Sequence, residues 1–261
     1  MAAGGLWERG LSRARREWLR WRSRRYWASV KGRYAGRRGF VIGNGPSLKA
    51  ADLELLRDEV CIASNKIYLI YGQTSWRPQF HTMIDPLVLA KIGGTIQEHV
   101  PWTIVPEGFA HLVPRARKVT YPHIGGVTEP PRGEPLFSVD AGAGIFCGYT
   151  VTYDNLQLAV HLGLNPIYLL GCDHYYSGEG KVVANQAIRA GEVSNHFDPN
   201  YRQPGEVVNP APIEIMTAAY EHARLFAERS GWVIRNATRG GYLEVFERTM
   251  LEEALGGGGS R

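Results

Sequence analysis

Short apolar runs that stop abruptly at a turn are the feature that most restricts this 261-residue chain. They lie at residues 39–43 (GFVIG), 60–63 (VCIA), 80–84 (FHTMI), 102–105 (WTIV), 167–170 (IYLL) and 232–235 (WVIR). Each suits a strand and is too short for a helix. Between them lie helical patterns: near Leu53 to Leu56, over 150–162 with Leu156, Ala159 and Val160 on one side, over 211–230, and over 243–255. Strands alternating with helices predict an open, largely parallel α/β sheet. Residues 106–135, rich in Pro, Gly and His, read as irregular, and 174–210 form a polar loop long enough to serve as a lid. The expected organisation is an arm at 1–38, one body at 39–255 with its lid near 174–210, and a flexible tail or cloning scar at 256–261.

The charge is divided along the same boundary. Residues 1–38 carry 12 Lys and Arg against two Glu, a net of +10, so a chain of net +5 leaves a body of −5. Trp7, Trp18, Trp21 and Trp27 all fall in the arm. On a helix, Trp7, Leu11, Ala14, Trp18 and Trp21 share one face and arginines fill most of the rest. A basic helix with interfacial tryptophans suits an anionic membrane surface. The competing reading packs the stripe on the body or on a second copy in a homo-oligomer. Nucleic acid is disfavoured as a partner, since the body is acidic and carries no recognised nucleic-acid motif. No apolar run approaches the ~18–20 residues that span a bilayer, and the Arg-rich start lacks the apolar core of a signal peptide. Cys61, Cys147 and Cys172 are scattered in apolar stretches, which suits a reducing compartment. The expected location is cytoplasmic, peripheral on the inner membrane face.

Several strands end in the same chemistry: Asn44, Asn65, Asp85 and Asp173 follow apolar runs. Open α/β sheets bind ligands beyond these carboxyl ends, although Asn and Asp also cap turns and helices. The turn Gly43-Asn44-Gly45-Pro46-Ser47 places backbone N–H groups near a helix start, which favours an anion. It is neither a Walker loop nor G-x-G-x-x-G. No H-E-x-x-H, Cys/His cluster or Asp-x-Asp appears, so no metal site is expected. His196 lies in the long loop among Ser194, Asn195, Asp198 and Tyr201, where an imidazole can accept a proton near neutral pH. The alternative is a loop histidine holding backbone carbonyls.

The stretches FVIGNGPSLKAADLELL, SNK, GYTVTYDNLQLAVHLGLNPIYLLGCDHYY and SNHFDPNY resemble the glycosyltransferase family 42 sialyltransferases. They resemble at least as much the related bacterial group described as 6-hydroxymethylpterin diphosphokinase MptE-like, of which RNATRGGYLEVFERTMLEEAL is more typical. The resemblance covers roughly residues 39–255. It implies a Rossmann-like nucleotide-binding transferase domain with a small lid over the strand carboxyl ends, using a CMP-activated sugar without a metal. By that resemblance Asn44 and Asn65 match asparagines that contact the nucleotide, Asp85 stands where the sialyltransferases have another asparagine, and Asp173 matches an aspartate of the nucleotide pocket. Tyr175 matches one of two tyrosines that stabilise the departing phosphate. The second falls near Lys181, with Tyr176 close by. His196 matches the proposed catalytic base. Gly43, Gly45, Ser47, Thr150 and Thr152 complete the expected nucleotide and donor contacts, although a family Ser-Gly reads Val151-Thr152 here.

The leading expectation is a metal-independent glycosyltransferase that moves a nucleotide-activated sugar onto a surface glycan or lipid, with no cofactor beyond that co-substrate. One alternative is a pterin diphosphokinase using ATP and Mg²⁺, with Asp85 and Asp173 as candidate ligands. Another is a non-catalytic nucleotide-sugar binding protein.

Overall fold

Each of those apolar runs supplies a strand of one sheet in the computed structural model, which describes residues 13–113, 118–176, 188–189, 195–203 and 205–256. The strands are β1 (Gly39–Ile42), β2 (Val60–Ser64), β3 (Phe80–Thr82), β4 (Thr103–Pro106), β5 (Lys118–Tyr121), β6 (His123–Gly126), β7 (Ile145–Cys147), β8 (Ile167–Leu170), β9 (Ile188–Arg189), β10 (Val207–Val208) and β11 (Ile234–Asn236). The helices are α1 (Arg13–Val30), α2 (Ala50–Glu54), α3 (Pro86–Ile92), α4 (Val151–His161), α5 (Ile213–Ser230) and α6 (Leu251–Gly256). The main sheet has seven strands in the order β11-β8-β1-β2-β3-β4-β5, all parallel. It is an open Rossmann-like α/β arrangement.

Both faces of the sheet are covered, which explains why its strands are continuously apolar. Val41, Ile62, Ile104, Leu169 and Ile234 point to one face, where they join residues of α1, α4 and α5. Phe40, Ile42, Cys61, Ala63, Tyr168 and Leu170 point to the other, against Leu53, Leu56 and Leu251. Residues 152–161 of α4 are all buried, the state expected of a helix enclosed all round.

Three expectations need correction. Residues 106–135 are not wholly irregular, because they supply edge strand β5 and the short β6, which pairs in parallel with β7. The helix expected over 243–255 forms only at Leu251–Gly256. Ahead of it, buried Asn236 holds the chain extended: its side chain donates to Leu243 O (2.8 Å), its N–H to Glu247 O (2.8 Å), and its carbonyl accepts from Thr249 N–H (3.0 Å). Those long-range bonds override the local helical pattern. The loop 174–210 contains a two-stranded antiparallel ribbon, β9 with β10.

The arm does not stop at the body's edge. Leu19, Ser23, Trp27 and Val30 of α1 are buried, and Trp27 and Val30 belong to the main core. The edge of β5 that faces away from β4 is closed by this helix. Thr120 N–H donates to Ser23 Oγ (3.0 Å), Trp27 Nε1 donates to Thr120 O (2.8 Å), and the Arg22 guanidinium donates to Lys118 O. An unpaired sheet edge invites pairing with other chains, and a covering helix removes that hazard. Truncating a buried tryptophan costs about 3–5 kcal/mol, so α1 is integral to the body. The face that packs differs from the tryptophan stripe: Ala14, Trp18 and Trp21 are exposed. Trp7 and Leu11 lie outside the described residues.

Candidate functional site

The sheet changes direction at β1: β2 to β5 lie on one side, β8 and β11 on the other. The crevice between the carboxyl ends of β1 and β8 is therefore the switch point at which such sheets bind ligands. The turns beyond the two strands touch. Gly43 N–H donates to Leu170 O (2.8 Å) and Gly45 N–H to Gly171 O (2.9 Å). A Cβ on Gly43 would lie 2.3 Å from Gly171 O, and one on Gly45 would lie 1.8 Å from Asp173 Oδ2. Only glycine permits this approach. Asp173 accepts from Ser47 Oγ (2.8 Å) and from Ser47 N–H (3.3 Å), while burial raises its pKa above the usual carboxylate range. Cys172 is buried beneath the turns, where desolvation pushes its thiol up to about 12.

An open cleft lies over this point. Asn44 Nδ2 donates to Ser64 Oγ (3.1 Å), but Asn44 Oδ1 and Asn65 Oδ1 are buried without a protein partner. Asn65 is left-handed (φ 54°) and is propped from below by fully buried His81. Since Asn65 O can only accept, His81 Nε2 carries the proton that bonds it (2.8 Å), and Nδ1 accepts from Thr103 Oγ1 (2.9 Å). Burial lowers the His81 pKa to about 4. Opposite, Thr150 caps α4 by accepting from Thr152 N–H (3.3 Å) and meets Tyr220 OH at 3.2 Å. Thr150, Val151 and Thr152 line the cleft, so the positive end of the α4 dipole borders it.

The remaining wall is loop. Asp85 caps α3, accepting from Leu87 N–H (2.8 Å), and the same oxygen accepts from Asn209 Nδ2 (2.7 Å). The His196 ring stacks on Tyr201 (centroids 3.8 Å apart, planes 6° apart), and Phe197 N–H donates to Asn44 O (3.1 Å). Burial first, then the nearby Arg202 and Lys66 cations, lower the His196 pKa to about 3, so its imidazole is neutral. Tyr175 is half exposed, its ring against Tyr242 at 5.0 Å. His174 is also left-handed (φ 54°). Thr217 donates its hydroxyl to Ile213 O (2.8 Å), so it accepts from His174 Nε2–H (2.8 Å), leaving His174 Nδ1 buried with no protein partner.

Gly43, Asn44, Gly45, Asn65, Asp85, Thr150, Thr152, Asp173, Tyr175, Tyr176 and His196 all line the one cleft. Ser47 stands behind it and fixes Asp173. Lys181 lies outside the described residues. The sequence reading missed Tyr149, Cys172, His174, Tyr201, Arg202, Asn209, Met216 and Tyr220, which line the same space. The left-handed backbone at Tyr149 and His174 leaves no trace in residue type, whereas Tyr201 and Asn209 sit in the loop already marked as functional. Among the described residues, no group of three or more His, Cys, Asp or Glu is arranged to hold a metal ion, and no helix is long and apolar enough to cross a membrane.

The family model described as 6-hydroxymethylpterin diphosphokinase MptE-like matches residues 21–179. The chain belongs to the MptE-like family. The match starts inside α1 and ends just beyond Tyr176. It thus takes in the whole β1–β8 crevice of this MptE-like protein and stops short of the loop carrying His196 and Asn209. No curated protein sequence matches the chain. Among solved structures, the MAf glycosyltransferase from Magnetospirillum magneticum AMB-1 matches with a TM-score of 0.48 and 18% identity, over 90% of this chain and 39% of that one.

Proposed function

We propose that this MptE-like protein is a glycosyltransferase that takes a sugar from a nucleotide carrier, CMP on the sialyltransferase resemblance, and attaches it to a hydroxyl of a glycan or lipid. The observation that carries this reading is the pair of buried, unpartnered amide oxygens, Asn44 Oδ1 and Asn65 Oδ1, in the wall of the switch-point cleft. Leaving such acceptors unpaired is costly. A nucleoside brings the matching donors, ribose hydroxyls and an exocyclic amine, and the α4 N-terminus beside them suits its phosphate.

The acceptor hydroxyl oxygen attacks the anomeric carbon, its proton passes to neutral His196, and the sugar–phosphate C–O bond breaks with its electron pair moving to the phosphate oxygen. Tyr175, Tyr176 and the α4 N-terminus are assigned to that developing charge, and Lys181 by resemblance to the same task.

The family's description keeps a second reading in play, pyrophosphoryl transfer from ATP with Mg²⁺. The candidate carboxylates fit that ion poorly. Asp173 is committed through both oxygens to Ser47, and one Asp85 oxygen is taken by Leu87 N–H and Asn209. Calorimetry on the full chain decides between the two readings. The expected result is metal-free binding of CMP or of another nucleotide that carries activated sugars. Binding of ATP–Mg²⁺ alone, with no response to any such nucleotide, overturns the glycosyltransferase reading.

A further inference from the structure

We infer that the outward face of α1 docks the protein on an anionic lipid bilayer. Two independent features of this helix meet here. Its inward face, Leu19, Ser23, Trp27 and Val30, is buried against β5 and the core. At 100° per residue, Ala14, Trp18, Trp21, Arg25 and Ala28 fall on the opposite side, and all five are exposed. Trp18 and Trp21 leave 52% and 55% of their surface open, two large aromatic groups displayed side by side on one helix. In water that exposure is unfavourable.

The chemistry around the rings selects the occupant. The Arg25 guanidinium lies over Trp21 (4.9 Å), that of Arg22 lies over Trp18 (5.0 Å) while also donating to Lys118 O, and Arg24 is exposed on the flank. A guanidinium on an indole face keeps its charge at the depth to which the indole inserts, the pairing that suits the boundary between acyl chains and anionic headgroups. The charge division agrees: residues 1–38 carry +10 and the rest −5. An anionic sheet attracts the arm and repels the body, so the molecule orients with α1 down. Because α1 is fixed to β5 by side-chain hydrogen bonds, it is a rigid foot that sets the height and tilt of the cleft above the surface.

The test is sedimentation of the full chain with vesicles of phosphatidylcholine alone or mixed with phosphatidylglycerol. The expected result is binding to the mixed vesicles only, weakened at least ~10-fold by Trp18→Ala/Trp21→Ala and by Arg24→Glu/Arg25→Glu, and weakened by salt. All four side chains are exposed, so circular dichroism and thermal unfolding of both variants should match the parent, which separates lost docking from lost folding. Equal binding to both vesicle types, no binding to either, or unchanged binding by the variants overturns the inference. So does a self-associated species that the tryptophan variant dissolves in the absence of lipid, because a second copy is then the occupant. Nucleotide binding is read on the same samples and should not change, so failure here leaves the proposed activity standing.

Discussion

The strand-end wall of the cleft and its loop wall are held by different means. The first is a backbone structure: two glycine turns hydrogen-bonded to each other across β1 and β8, with Ser47 clamping Asp173 and His81 supporting Asn65. The second depends on side chains that meet across long stretches of chain, such as Asp85 with Asn209 and Lys66 with the Tyr201 carbonyl. A wall made of close-packed backbone tolerates almost no added atom, whereas one made of side chains loses contacts singly. In the proposed reaction the first wall holds the nucleotide and the second brings the base. Binding and turnover should therefore be separable by mutation.

The largest expected effect is on acid stability and belongs to the strand-end wall. His81 titrates near 4 when folded and near 6.5 when unfolded. Between those values the unfolded chain binds more protons, so stability falls as the pH drops from about 6.5 to about 4. The full gap corresponds to roughly 3 kcal/mol. Denaturant titrations across that window should show His81→Gln with a shallower loss than the parent; an identical slope would remove His81 from the account.

His196→Ala probes the loop wall. It should lower turnover at least ~100-fold while the nucleotide affinity measured by calorimetry stays within about threefold. A parallel loss of affinity would mean that the two walls are not separable. Gly45→Ala should do the reverse. Its Cβ meets the Asp173 carboxylate, an overpacking expected to cost about 1–3 kcal/mol, and nucleotide affinity should fall by about tenfold or more. Asn209→Ala is the mildest change. With one hydrogen bond lost, stability should shift by about 1 kcal/mol or less, with a several-fold rise in KM as the loop loses its tie to Asp85.

The same contrast explains what was legible in the sequence. Asn44, Asn65, Asp85 and Asp173 stand out because each ends or closely follows an apolar run, and strand ends in a parallel sheet converge by topology. Gly43 and Gly45 show as a turn, although the reason for glycine, the approach to Gly171 and Asp173, appears only in three dimensions. The pairing of Asp85 with Asn209 joins positions with no local relation, and His81 reads as an ordinary strand residue. Strand β5 is hidden because its side chains are mixed in polarity, including a buried Lys118 whose ammonium donates to the carbonyls of Ala110 and Val113. Helix periodicity finds the tryptophan stripe of α1 but does not single out the face that packs, since Leu19, Ser23, Trp27 and Val30 recur at the same helical spacing and only their burial tells the two faces apart.

The Cys172 thiol gives the crevice a chemical clock. With its ionisation pushed up to about 12, far less than ~0.1% of the group is thiolate at neutral pH, and the sulfur is roofed by the β1–β8 turns. Alkylating reagents meet it only through the small part, 7% of the residue, that the turns leave open to the cleft. The rate at which Cys172 itself is labelled, followed residue by residue because Cys147 is also partly exposed, therefore reports access to the crevice, and a molecule bridging the two turns should stretch the interval between ticks.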